Sequence, residues 1–157
     1  MLFNESRRSK RYIALLPVTI DAVDSKGNLQ AGPWPGRIID LSRHGASLFL
    51  TRVMDGQYHI FFSVQENPNH ILRITVKHSV HGNSFGTSGT LNTVKNNTGK
   101  EIILEARPIW MNSYDHEDLV AFKMGVEFIR LPNRQEMTLL KKAMKDQLAS
   151  IGKEDEE

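Results

Sequence analysis

No cysteine occurs among the 157 residues, which excludes disulfide frameworks, thiolate zinc sites and thiol nucleophiles and permits a reducing compartment. Long apolar runs are missing as well: no stretch approaches the roughly 18 consecutive apolar residues of a membrane span. No residue type dominates. With 39% hydrophobic, 24% charged and 8% aromatic residues, 11 Gly and 6 Pro, wholesale disorder, collagen and coiled-coil architectures fall away. A strong charge of one sign is also lacking, since the formal net charge is +2, so bulk charge names no polyanionic partner. The length suits one domain around one core.

What charge there is lies unevenly. Arg7, Arg8, Lys10 and Arg11 face the single acid Glu5 in the first eleven residues, while the last five residues are mostly acidic. The N-terminal arm superficially resembles a twin-arginine leader, with Ser6-Arg7-Arg8 ahead of Tyr12-Ile-Ala-Leu-Leu16. That reading fails, because Pro17 and Asp21 break the apolar run, no small-residue cleavage site follows, and Lys10 and Arg11 stand where a leader turns apolar. A cytoplasmic protein without a membrane span is the expectation.

Beyond a flexible basic arm at 1–14, the chain reads as short strands separated by turns, with one helix at its end. Strands are expected at 15–23, 36–41 and 46–50, with a turn at Asp24-Ser-Lys-Gly27 and a loop at Gly32-Pro-Trp-Pro-Gly36. Tyr58, Ile60, Phe62 and Val64 alternate as in a half-buried strand, as do Leu72, Ile74 and Val76. Residues 81–100 are rich in Gly, Asn, Ser and Thr and read as a long loop. Strand signal returns at 102–111 and at 119–131, where Val120, Phe122, Met124, Val126 and Phe128 alternate. Five or more antiparallel strands with no interleaved helix point to a small barrel or sandwich over 15–132, since closure removes exposed edges. A helix is expected over 133–151, with Asn133 and Glu136 as a capping box. Its apolar face of Met137, Leu140, Met144, Leu148 and Ile151 could cover an open barrel end or form a homodimer contact. Residues 152–157 read as a disordered acidic tail.

No GxxxxGK loop, GxGxxG turn, GxSxG elbow or HExxH helix is present. His78 and His81, the one close histidine pair, have no nearby carboxylate and read as solvated rather than metal-binding. Gly82, Gly86 and Gly89 have no following helix to complete a phosphate cradle. Neither an enzyme nor a cofactor is expected.

Two motifs remain. Arg7 and Arg11 form an RxxxR pair, and Asp40-Leu-Ser-Arg-His-Gly45 is a DxSxxG turn between two strands. The second is expected only about 0.04 times from this composition. A guanidinium fork matches guanine O6 and N7, stacks on bases and pairs with phosphate oxygens. A carboxylate such as Asp40 complements the donor edge of guanine, and Ser42 can donate and accept. Gly45 would let the chain turn without a side chain blocking a ligand. The competing reading is that Asp40 and Ser42 only stabilise their own turn and that the arm is a solvated tail.

In this order, with one strand between them, the motifs resemble those of the PilZ family. Gly36-Arg-Ile-Ile-Asp-Leu-Ser-Arg-His-Gly-Ala-Ser-Leu48 is similar to the family's second strand and turn, and Met124-Gly-Val-Glu-Phe128 to its closing strand. The resemblance spans about 7–131. It implies a six-stranded antiparallel β-barrel with a C-terminal α-helix that binds the second messenger cyclic di-GMP. Arg7 and Arg11 would grip bases and phosphates, Arg8 would add charge, and Asp40, Ser42 and Gly45 would supply the barrel surface. The implied activity is that of a non-catalytic receptor signalling to an effector protein, with no DNA or RNA partner. The alternatives are a small barrel that binds single-stranded nucleic acid, expected to want exposed aromatics where Phe61, Phe62, Phe122 and Phe128 look like core, and a PilZ-like adaptor with an empty site.

Overall fold

The computed structural model describes residues 12–76 and 101–156. Strands β1 (Tyr12–Val23), β2 (Leu29–Leu41), β3 (Gly45–Leu50), β6 (Ile71–Val76), β7 (Ile102–His116) and β8 (Leu119–Phe128) close a barrel in the order β1-β2-β3-β8-β7-β6. Every pairing in it is antiparallel, including the β1–β6 pair that seals it. The six-stranded barrel expected from the sequence is therefore the fold. Two-residue strands β4 (Met54–Asp55) and β5 (Tyr58–His59) form a separate ribbon, followed by the short helix α1 (Phe62–Glu66); α2 (Arg134–Glu156) ends the chain.

Period-two alternation places the core. Leu16, Val18, Ile20 and Ala22 of β1, Leu72, Ile74 and Val76 of β6, and Met124, Val126 and Phe128 of β8 are all buried inside the barrel. Each fully buried branched side chain contributes about 1.5 to 3 kcal/mol of transfer free energy. The turn after β1 is held by Asp24, whose carboxylate accepts the backbone N–H groups of Lys26 and Asn28.

The structure corrects four expectations. Strand β1 starts at Tyr12 rather than at 15, because Tyr12 and Ile13 pair with Leu41 and Asp40. The stretch Gly32–Gly36 is not a loop but part of β2. Its first half pairs only with β1, since β3 joins at Gly36 opposite Leu50, so Pro33 and Pro35 lie where a missing N–H breaks no second ladder. Trp34 between them is fully buried and anchors the segment.

The strand expected from Tyr58 to Val64 is instead β5, a turn and α1. Ile60 and Val64 satisfy both a period of two and a spacing of four, and only Phe62 separates the readings: it is 57% exposed. His59 Nδ1 accepts the backbone N–H groups of Phe61 and Phe62, and Ser63 Oγ accepts that of His59, which favours the helical turn. The last correction concerns α2, which continues past Ile151 through Gly152 to Glu156. One glycine costs a helix about 1 kcal/mol, and the flanking Lys153 and Glu154 are good helix formers.

The capping box is present as expected: Glu136 N–H donates to Asn133 Oδ1 at 2.7 Å, and Asn133 N–H to Glu136 Oε1 at 2.9 Å. Arg130 adds an ion pair to Glu136 at 3.3 Å. These partners hold the Glu136 carboxyl below its ordinary pKa, the Asn133 amide most of all. Leu140, Ala143 and Met144 of α2 join the barrel core, with Met137 half-buried against it, whereas Leu148 is exposed. The helix thus packs on the barrel as one of its two expected roles required.

Candidate functional site

The β2–β3 turn, Leu41 to Gly45, is built largely by its own backbone and one hydroxyl. Ser42 Oγ accepts the N–H groups of His44 at 3.2 Å and Gly45 at 3.3 Å, and its own hydroxyl faces the Gly45 carbonyl oxygen at 3.4 Å. Ser42 N–H donates to the same carbonyl at 2.9 Å. The hydroxyl's hydrogen-bonding capacity is thereby engaged within the turn. Ser42 shapes the loop, as the turn-stabilising reading expected of it. Asp40 differs. Its side chain is half-buried and has no hydrogen bond to another described residue.

Gly45 is required for a reason other than ligand access. A Cβ at this position would run into the Val126 carbonyl oxygen of β8. The approach is that close because Phe128 N–H donates to the His44 carbonyl at 2.9 Å while Gly45 pairs with Glu127. The glycine clamps the turn onto the end of β8.

Register then shows what lies beside Asp40. A shift between Ile38 and Asp40 brings Asp40 opposite Ser47, Ser47 opposite Gly125, and Gly125 opposite Trp110. The neighbours Leu41, Ala46, Leu48, Met124 and Val126 point into the core, so this row belongs to the outer wall. A side chain on Gly125 would meet the Trp110 indole, whose Cζ2 lies 2.7 Å from the ideal Cβ position. The indole therefore packs directly against Gly125, yet remains 36% exposed. Ser47, in the middle of the row, is buried. The result is a shelf with a carboxylate at one side, an aromatic face at the other, and the exposed Arg43 at the turn tip. Its width from β2 to β7 is three strand spacings, about 14 Å.

Trp110 was not singled out by sequence reasoning. The available signal was Gly125, a glycine inside a strongly alternating strand, which marks a close approach by another group.

Of the expected site residues, Asp40, Ser42 and Gly45 come together on this turn. Arg7, Arg8 and Arg11 lie outside the described residues, as do His78, His81 and the 81–100 loop. Strand β1 begins at Tyr12 opposite Leu41, so the arm joins the barrel next to the turn. Among the described residues no group of His, Asp or Glu could hold a metal ion, and no helix is long and apolar enough to cross a membrane.

Comparison with known proteins decides the family. The family model for the PilZ domain matches residues 5–144. The chain belongs to the PilZ family. Its fold is similar to that of the "PilZ domain with c-di-GMP of YcgR from Escherichia coli", at a TM-score of 0.54 and 14% identity, over 96% of this chain and 98% of that one. It is also similar to the Bacillus subtilis inhibitor of motility, MotI/DgrA, at a TM-score of 0.50 and 17% identity, over 92% of this chain. This PilZ chain spans about half of that protein, 52% of its length. Among curated proteins nothing matches.

Proposed function

We propose that this PilZ protein is a non-catalytic receptor for cyclic di-GMP, in which the arginine arm closes over a ligand lying on the Asp40–Trp110 shelf and the closed arm presents a new surface to an effector protein. The observation that carries this reading is the row itself: one carboxylate suited to a guanine donor edge and one accessible indole suited to base stacking, on the same wall and beside the point where the arm enters. The similar YcgR structure is of a PilZ domain with c-di-GMP, which supports this choice of ligand.

The roles divide by chemistry. Asp40 accepts from guanine N1–H and N2–H. Trp110 offers a π-face, and base–aromatic stacking is worth about 1 to 3 kcal/mol. Ser42 and Gly45 hold the turn in the conformation that exposes Asp40. Arg7 and Arg11 supply cationic forks for bases and phosphates, with Arg8 adding charge. Five residues of extended chain reach at most about 17 Å, enough for an arm rooted at Tyr12 to cross the shelf. Ordering those residues costs about 5 to 10 kcal/mol, whereas each charge-assisted hydrogen bond returns about 1.5 to 3 kcal/mol. Several contacts must therefore form together.

Calorimetric titration with cyclic di-GMP tests the proposal. Arg7→Ala and Arg11→Ala should each weaken binding at least about tenfold, the equivalent of one such bond. Affinity equal to the unsubstituted protein in both variants would refute the arm's role, and no binding by the unsubstituted protein would refute the ligand.

A further inference from the structure

The β7–β8 hairpin is longer than the barrel needs. Strand β6 pairs with β7 only from Ile102 to Ala106, and β3 pairs with β8 only from Phe122 to Glu127. From Asn112 to His116 and from Leu119 to Ala121 the two strands have only each other among the described residues. Helix α1 seals the outer edge of β7 as far as Pro108, whose carbonyl accepts from the Gln65 side-chain amide. Past that point no described residue pairs with the edge. The projecting part also exposes three large apolar side chains: Tyr114 is 53%, Leu119 73% and Val120 48% exposed. Between Met111 and Ala121 there is no Lys or Arg, while Asp115, Glu117 and Asp118 crowd the tip.

We propose that this ribbon is a docking edge for a partner protein, which lays an extended segment bearing Lys or Arg along β7 between Met111 and His116 and covers Tyr114 and Leu119. An open strand edge supplies main-chain donors and acceptors in register, the basis of recognition by strand addition. Charge selects the occupant. Two copies of this chain meeting edge to edge would bring no Lys or Arg from 111–121 to either tip's three carboxylates, so self-pairing gains no charge complementarity. A basic strand gains at the same positions, and such complementarity also speeds encounter. Tyr114 shares the outer face of β7 with Trp110, at equivalent positions four residues apart, about 13 Å along the strand. A segment docked at Tyr114 would therefore run toward the Asp40–Trp110 shelf. The docking edge needs no ligand to exist, so it stands or falls separately from cyclic di-GMP binding.

The test uses the full chain and a fluorescent eight-residue peptide alternating Lys with Val. Two control peptides replace Lys with Glu, or carry N-methyl groups on alternate amides. The expected results are saturable binding of the Lys peptide, amide chemical-shift changes confined to 111–121, and at least tenfold weaker binding of both controls. The double variant Asp115→Lys/Glu117→Lys should lose the Lys peptide at least tenfold while keeping its cyclic di-GMP titration and thermal midpoint. No binding, equal binding of the N-methylated peptide, shifts elsewhere on the barrel, or binding undiminished in the double variant would each overturn the proposal. So would concentration-dependent dimerisation abolished by Leu119→Ser, which would make a second copy the occupant.

Discussion

The two ends of the barrel are closed by different means. At the end where β3 leaves for α1, closure is dense: Trp34, Ile60 and Val64 are fully buried, and Tyr58 bonds His70 Nδ1 through its hydroxyl at 2.7 Å. Arg107 there donates to the carbonyl oxygens of Val64, Pro68 and His70. At the end carrying the β2–β3 turn, where β8 runs on into α2, Leu140, Ala143 and Met144 of the helix add to the core, but the turn itself is held differently. Backbone contacts through His44 and Gly45 fix the turn on β8, and Asp40 and Trp110 stay accessible. Trp34 is wholly core at the first end, and Asp40 lies on a backbone-held turn at the second, so substitutions at these two positions should have separable effects.

The largest effect expected is at the dense end. Trp34→Ala should cost about 3 to 5 kcal/mol in urea unfolding, the usual range for emptying a buried aromatic site. Trp34→Phe should cost far less, because the indole Nε1 is buried without a hydrogen-bond partner, and removing it leaves no orphaned donor. A large loss for the Phe variant would mean that this end is held by something other than packing.

At the recognition end, Asp40→Ala should weaken cyclic di-GMP binding about tenfold or more while moving the unfolding midpoint little, since Asp40 bonds no described side chain. Loss of stability in proportion to affinity would erase the proposed division. Asn133→Ala, which removes the α2 cap, should cost about 1 kcal/mol and leave ligand affinity unchanged.

The smallest effect is a pH slope. Burial holds the His59 imidazole below its ordinary pKa of 6.5, and the neutral Nδ1 accepts two backbone N–H groups. The unfolded chain therefore takes up the proton first as pH falls. The contribution is present in full above about pH 6.5 and is lost as pH drops through the lowered folded value. Comparing urea midpoints at pH 8 and pH 5.5 should show the loss, reduced in His59→Asn, whose side-chain oxygen still accepts. An identical slope in that variant would assign the titration to another group.

Where the sequence was legible, the reason was that one physical cause dominated. In β6 alternation alone separates inside from outside; in β8 it places Met124, Val126 and Phe128 but not Val120, which lies beyond the end of β3 and is 48% exposed, and Asn133 with Glu136 makes a cap by local bonds only. Tyr58–Val64 misled because two of its apolar residues fit both periods, and the choice depended on His59 and Ser63 bonding their own backbone. Gly32–Gly36 misled because its prolines are tolerated only by virtue of β3 joining later, a matter of register. At the site, the DxSxxG turn was visible as a motif, but the reason for Gly45 lies in Val126, 81 residues away by number. Trp110 reaches Asp40 only through two intervening strands, which no local pattern contains.

The central claim is that the ligand lies on the shelf between Asp40 and Trp110. The chain has two tryptophans, and Trp34→Phe leaves Trp110 as the sole indole. Titrating that variant with cyclic di-GMP while following indole emission should give saturable quenching with the midpoint found by calorimetry, moved at least about tenfold to higher ligand by Arg11→Ala. Calorimetric binding with unchanged Trp110 emission would place the ligand elsewhere and contradict the account.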